Sequence, residues 1–212
     1  MAADSEQILK ARGEEEKDIR RQHIIDSAER VMMEGGLSKF SIAAVAREAK
    51  LAKGTLYLYF KNKEQMIAQL TLKSREALLQ SFRASVECTD DPLQQIRNII
   101  VASFKFYEDY ERYYELISFY EANSGLKEPP VLEEASAKIT ALVVDTIERA
   151  IEAGAVRPSV NPNHLSYIMW GTSMGIVQLI NVKREALRKN LSASVEDFYE
   201  SYIELMINGI RA

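Results

Sequence analysis

One cysteine, two histidines and one tryptophan occur among the 212 residues, and each scarcity closes off a class of chemistry. A lone Cys88 leaves no internal disulfide framework. With only His23 and His164 beside it, there is no ligand set spaced for a zinc or redox centre, so no metal and no cofactor is expected. The same poverty argues against an enzyme. No nucleophile stands at a recognisable spacing from a base, no glycine-rich loop is placed to cradle phosphates, and no carboxylate pair sits in a fixed arrangement. Apolar runs approaching the ~18 residues of a membrane span are absent, and the acidic N-terminus carries no signal-peptide core. The expectation is a cytoplasmic protein with no membrane partner.

Prolines (five) and glycines (nine) are also few, and they fall between helical patterns. No alternating strand segment, internal repeat or low-complexity tract occurs, so the expected fold is all-α, and 47% hydrophobic content suffices for a core. Helix 1 is expected from Asp18 to Glu34, burying Ile24, Ala28, Val31 and Met32, with Gly35-Gly36 as its stop and residues 1–17 as a flexible arm. Asn62 with Gln65 three residues on reads as a capping box, opening a helix that Ile67, Leu70, Leu78 and Phe82 carry to Glu87. Further helices are expected from Pro92 to a break at Tyr110-Glu111, then to a stop at Asn123-Ser124-Gly125, from Pro130 to Gly154, from Asn161-Pro162 to about Arg188, and from Ser194 to Asn208.

What the chain does have is concentrated in residues 41–64, SIAAVAREAKLAKGTLYLYFKNKE. Ile42, Val45, Ala46 and Ala49 fall at i, i+3, i+4 and i+7, one apolar helix face with Ser41 as N-cap, while Arg47 and Lys50 point away from it. After a four-residue break Leu56 and Phe60 recur at i and i+4, which turns Gly54 and Leu58 outward and sets Thr55, Tyr57 and Tyr59 on the flanks. Helices this short are not stable alone and must be held rigidly. Two of them with basic and aromatic outward faces make a helix-turn-helix suited to enter DNA. Charge agrees. The formal net charge is −4, yet residues 17–75 hold twelve Lys and Arg against six Asp and Glu, and from Lys39 to Lys63 six cations face one acid, Glu48.

The wording of this stretch resembles the tetracycline-repressor-like (TetR) family of bacterial transcriptional regulators, through the lead-in Gly36 to Ser41, the pair Val45-Ala46 and the segment Lys53 to Glu64. The resemblance is dense over residues 18–70 and elsewhere extends only to length and helical texture. It implies an N-terminal three-helix helix-turn-helix domain, residues 18–64, followed by a C-terminal helical ligand-binding and dimerisation bundle, residues 65–212. The partner it implies is a double-stranded DNA operator, with Ser41, Ile42, Lys53, Gly54, Thr55, Tyr57, Leu58, Tyr59 and Lys63 as candidate contacts. Three turn positions depart from the commonest wording: Lys50 replaces glycine, Leu51 valine and Ala52 serine. A lysine where the backbone turns left-handed strains the turn, and Ala52 forgoes a hydroxyl for a phosphate.

In the body, eight of the 18 aromatics lie between Phe104 and Tyr120. The expectation is that Phe104, Tyr107, Tyr110 and Tyr114, with Trp170 and Met174 from a later helix, line a cavity for a small-molecule effector, largely apolar or aromatic; ordinary core packing is the alternative. Gly171 and Gly175, four apart, and the apolar surface of Phe198, Tyr202 and Met206 mark a homodimer interface, and the resemblance implies a two-fold four-helix arrangement there. The functional expectation is a homodimeric repressor released from a pseudopalindromic operator by its ligand. The alternative is a DNA-binding dimer without small-molecule input, controlled by a protein partner or by abundance.

Overall fold

A computed structural model describes residues 2–122, 127–191 and 194–212. The described residues are helical almost throughout, with no strand among them and only an isolated antiparallel bridge between Val156 and Arg211. In chain order the helices are α1 (Ala2–Lys39), α2 (Ile42–Glu48), α3 (Lys53–Tyr57), α4 (Lys63–Glu87), α5 (Pro92–Asp109), α6 (Glu111–Ala122), α7 (Pro130–Glu152), α8 (Pro162–Leu191) and α9 (Val195–Ile210). The all-α expectation holds.

Short-range chemistry sets most boundaries. Gln65 N–H donates to Asn62 Oδ1 at 2.9 Å, and Gln65 Oε1 accepts from Lys61 N–H at 2.8 Å, so α4 opens on a reciprocal cap. At α5, Asp91 Oδ1 accepts from the N–H groups of Leu93 and Gln94, and Pro92 occupies the first turn, where a missing N–H costs nothing. A capping box of Ser194 and Asp197 opens α9. Gly154, at φ 71, follows the end of α7.

Three expectations change. Helix α1 begins at Ala2 rather than near Asp18, so residues 2–17 are helical and not an arm. Their run of Ala, Glu, Gln, Lys, Arg and Leu favours helix, and Gly13 alone is too weak a breaker to stop it. The break at the far end falls on the second glycine of the pair, Gly36 at φ 63 and ψ −175, after which a last turn runs to Lys39. Helix α9 continues through Gly209 to Ile210. The expected stop at residues 123–125 lies outside the described residues.

The chain divides into two compact units, Met1–Ser74 with Glu115–Pro129 and Arg75–Tyr114 with Pro130–Ala212. The units part at three places, inside α4 after Ser74, inside α6 before Glu115 and between Pro129 and Pro130, where the sequence suggested a single cut at 64/65. In the first unit the buried residues include Ile24, Met32, Phe40, Val45, Leu56, Phe60, Met66, Leu70 and Leu116. Long-range hydrogen bonds explain why part of α6 belongs here: Leu37 N–H, just past the kink of α1, donates to Glu115 Oε1 at 3.1 Å, and the Thr71 hydroxyl reaches the carbonyls of Ile67 and Leu116. The second unit packs Ile96, Ile100, Phe104, Val143, Ile147, Val177, Ile180, Ile203 and Ile207 into one core. Its chain end is pinned, with Arg157 N–H donating to the Ile210 carbonyl at 3.0 Å and Ala212 N–H to that of Ala155 at 3.1 Å.

Candidate nucleic-acid interface

Helix α2 starts where Ser41, extended at φ −152, accepts Ala44 N–H on its side-chain oxygen at 3.2 Å. Val45, Ala46 and Ala49 are buried, as their spacing predicts. The helix closes with a Schellman pair: Lys50 N–H donates to the Arg47 carbonyl at 3.2 Å and Leu51 N–H to that of Ala46 at 2.9 Å. Such a closure requires a left-handed residue. Lys50 supplies it at φ 57, the single positive-φ residue other than glycine among the described residues. A side chain with a Cβ is disfavoured there by about 1–2 kcal/mol. Helix α3 then begins after Ala52, which makes no side-chain cap, in keeping with the loss of a hydroxyl at that position.

Both short helices are braced by the rest of the first unit. Leu56 and Phe60 are buried, and the Arg21 guanidinium lies 5.0 Å from the Phe60 ring centroid. His23 Nε2 is 3.0 Å from the Ala49 carbonyl oxygen, so the ring donates from Nε2 and satisfies the carbonyl at the end of α2. Arg30 donates to Glu48 at 2.6 Å, joining α1 to α2, and Lys73 to Glu29 at 2.5 Å, joining α4 to α1. These braces were not legible in the sequence, because partners 18 to 44 residues apart leave no local pattern.

Outward, Leu58 is 82% exposed, and Lys53, Gly54, Tyr57 and Lys63 are exposed as well. Ser41, Ile42, Thr55 and Tyr59 are half-buried. Six cations, Lys39, Arg47, Lys50, Lys53, Lys61 and Lys63, are all exposed, and among the described residues none makes an ion pair, whereas Arg30 and Lys73 of the same unit do. The motif therefore combines un-neutralised positive charge, two tyrosines and an apolar side chain in water, held by a buried base.

The second unit treats the expected cavity residues unequally. Phe104 is buried and stacks on Tyr199 at 4.0 Å between centroids, Tyr107 is buried with its hydroxyl bonded to Asn181 and its ring edge-on to Tyr114 at 5.0 Å, and Met174 is half-buried. Tyr110 and Trp170 are 53% and 46% exposed, so they leave the set. The break between α5 and α6 falls at Tyr110 and ends the helical phase that buries Phe104 and Tyr107; Tyr110 instead meets Phe106 and Tyr113 at the corner. On α8 the inward residues are Met169, Ser173, Val177 and Ile180, which turns Trp170 out.

Gly171 and Gly175 are exposed, and a Cβ on either would meet nothing within 4 Å among the described residues, so they relieve no crowding there. Around them α8 exposes Tyr167, Ile168, Leu179 and Val182, residues whose outward direction the sequence pattern does not mark. Phe198, Tyr202 and Met206 are half-buried, packed against their own unit's core, and the Tyr202 hydroxyl bonds to that of Thr172. Leu205 is the large apolar residue that α9 leaves in water.

A braced helix-turn-helix with a solvent-facing second helix and unpaired cations defines a DNA-binding protein of the helix-turn-helix class. Residues 24–70 match the family profile described as bacterial regulatory proteins, tetR family, a match that supports a transcriptional regulator of this family. The chain is similar to the HTH-type transcriptional repressor KstR2 of Mycobacterium tuberculosis, 25% identical over 145 residues that cover 67% of this chain and 72% of that one. The HTH-type transcriptional regulator UidR of Escherichia coli is 23% identical over 193 residues, 90% of this chain and 92% of that one. Among solved structures, the transcriptional regulator FadR from Bacillus subtilis in complex with stearoyl-CoA superposes with a TM-score of 0.71 at 19% identity, covering 90% of this chain and 99% of that one. The ketosteroid transcriptional regulator KstR2 gives 0.61 at 21% identity, covering 91% and 95%.

Proposed function

We propose that this regulator is a homodimeric repressor that leaves a pseudopalindromic operator when a small, largely apolar or aromatic effector enters its second unit. The observation that carries the DNA half is the set of six exposed cations without ion pairs around an exposed Leu58. Lys53 and Lys63 hold phosphates and set the register, Tyr57 and Tyr59 reach phosphate or sugar through their hydroxyls, and Thr55 lies nearer the bases beside Gly54. Leu58 touches a thymine methyl in the major groove. Ser41 accepts a helix N–H yet keeps its own O–H to donate to a phosphate, with Ile42 beside it at the start of α2.

A second copy covers the glycine-bearing face of α8, so that two readers occupy successive major grooves. Tyr167, Ile168, Leu179 and Val182 flank Gly171 and Gly175 on that face, and Leu205 extends it. For the effector, Phe104, Tyr107, Tyr114 and Met174 remain the lining, which offers rings and hydroxyls but no charge. Support comes from similar proteins, one solved with stearoyl-CoA, whose acyl chain is apolar, and one a ketosteroid transcriptional regulator. Helix α4 carries residues of both units, and an effector that prefers its non-binding position by about 3 kcal/mol weakens operator affinity roughly 150-fold. The competing reading, a DNA-binding dimer without small-molecule input, is favoured by the tight stacking of Phe104 on Tyr199. Among the described residues no helix is long and apolar enough to cross a membrane, and operator binding places the protein in the cytoplasm.

The test is selection of bound fragments from a genomic pool by the purified protein, followed by release with apolar metabolites. Recovery of no palindromic site overturns the operator reading; recovery without release by any apolar compound favours the effector-free dimer.

A further inference from the structure

We infer that Lys50, in the turn between α2 and α3, is an additional DNA-phosphate contact. The inference rests on the DNA-binding reading above and extends it to a residue that has no place in the family-like contact set. Lys50 is held at φ 57, where glycine or asparagine sits without penalty and a lysine does not. The closing bonds of Lys50 and Leu51 N–H hold that backbone, yet they make no use of the side chain: Lys50 is exposed, and among the described residues its ammonium has neither a hydrogen bond nor an ion pair. A lysine kept at a position that glycine would fill without strain thus presents an unpaired charge to a partner of the opposite sign.

Position says which partner. Arg47, Lys50 and Lys53 are three residues apart across the turn, all exposed and none in an ion pair among the described residues, so Lys50 continues the cationic row that leads into the reader helix. Its backbone is immobilised by the bonds of Lys50 and Leu51 N–H to the Arg47 and Ala46 carbonyls and by His23 on the Ala49 carbonyl, which lowers the ordering cost of a contact made from it. A flexible stem ending in a point charge lacks the planar fork that reads a base edge, so the contact is to a phosphate oxygen and carries no sequence preference.

Three substitutions test this in the full-length protein: Lys50→Gly, Lys50→Asn, which keeps a residue tolerant of the left-handed backbone, and Lys50→Arg. The Gly and Asn forms are expected to melt no lower than wild type, to lose affinity for operator and random DNA by the same several-fold factor, and to reduce the magnitude of the salt slope by about one for each phosphate no longer neutralised. Lys50→Arg is expected to retain both slope and affinity. An unchanged slope in the Gly and Asn forms, or a loss confined to operator DNA, overturns the inference while leaving the DNA-binding reading intact. Wild-type protein that shows no salt-dependent affinity for DNA overturns both, and the Lys53→Ala and Lys63→Ala forms, read beside it, separate the two failures.

Discussion

The first unit exposes cations around its helix-turn-helix and keeps them unpaired; the second exposes an apolar face on α8 with glycines at its centre. These surfaces call for partners of opposite chemistry. A row of six cations suits a polyanion, and the affinity it gives is governed by counterion release and falls steeply with salt. Tyr167, Ile168, Leu179 and Val182 around two open glycines suit another apolar face, and burial of that kind is indifferent to screening. The contrast also explains why a net charge of −4 says little about the partner: sign matters where it is concentrated, and the acidic residues are spread over the remainder of the chain.

The largest expected effect separates the two surfaces directly. Raising salt from about 50 to about 200 mM should weaken DNA binding by roughly a thousandfold or more if six or more phosphates are neutralised by the dimer, with no loss of dimer. Mobility shift and sedimentation over the same salt series provide the readout, and dimers that dissociate in step with DNA release would break the comparison. Replacing Lys53 and Lys63 with Ala should then reduce the salt slope by about one unit for each phosphate left without its lysine, on operator and random DNA alike.

A smaller effect is expected at α8. Gly175 is exposed and a Cβ there has open space among the described residues, so leucine should leave folding intact, but it should overpack the helix contact of the second copy by about 1–3 kcal/mol. That is a roughly 5- to 150-fold rise in the dimer dissociation constant, visible by sedimentation near its midpoint. A variant that dimerises like wild type, or a wild-type monomer at micromolar concentration, removes α8 from the interface. Leu58→Ala is expected to act more locally still. It should relax preference at one T·A pair, a change of about 1 kcal/mol, without lowering the melting temperature, because an 82% exposed side chain contributes little to the core. Lost stability with unaltered preference would return Leu58 to the fold.

The reader was legible in the sequence because everything that builds it is local. Leu56 and Phe60 inward with Leu58 outward follow from one helical period, and the left-handed Lys50 from a turn whose geometry needs it. Caps were legible for the same reason, as at Asn62 with Gln65 and Asp91 with Pro92. What stayed hidden depended on rotation or on distance. Helix α8 is apolar on several faces, so its pattern leaves the direction of Trp170 open, and packing with Met169, Val177 and Ile180 inward decides it. Aromatic density from Phe104 to Tyr120 suggested one cavity, but the break at Tyr110 resets the phase. The attachment of residues 115–129 to the reader rests on bonds such as Leu37 to Glu115, 78 residues apart.

The smallest expected effect concerns the helix beside the apolar face. Asp197 accepts the backbone N–H and the hydroxyl of Ser194, both at 2.9 Å, and the backbone bond first and the hydroxyl bond second hold its carboxyl below the ordinary 3.8. A carboxyl lowered in the folded state adds stability that is present above 3.8 and is lost as pH falls through the lowered folded value. Acid should therefore loosen the start of α9, whereas between pH 8 and 5 this box should be constant. Ser194→Ala removes the cap, which typically costs about 1 kcal/mol, or 2–4 °C of melting temperature in a chain of this size. The gap between wild type and variant should be full at pH 7 and should narrow in acid, where the Ser194 hydroxyl still accepts Asp197 N–H but no longer meets a carboxylate. Thermal melts of the two proteins at pH 7 and near pH 2.5 measure it, and a gap of equal size at both values would mean that the bond between the hydroxyl and the carboxylate adds nothing, leaving the hydroxyl as an ordinary N-cap.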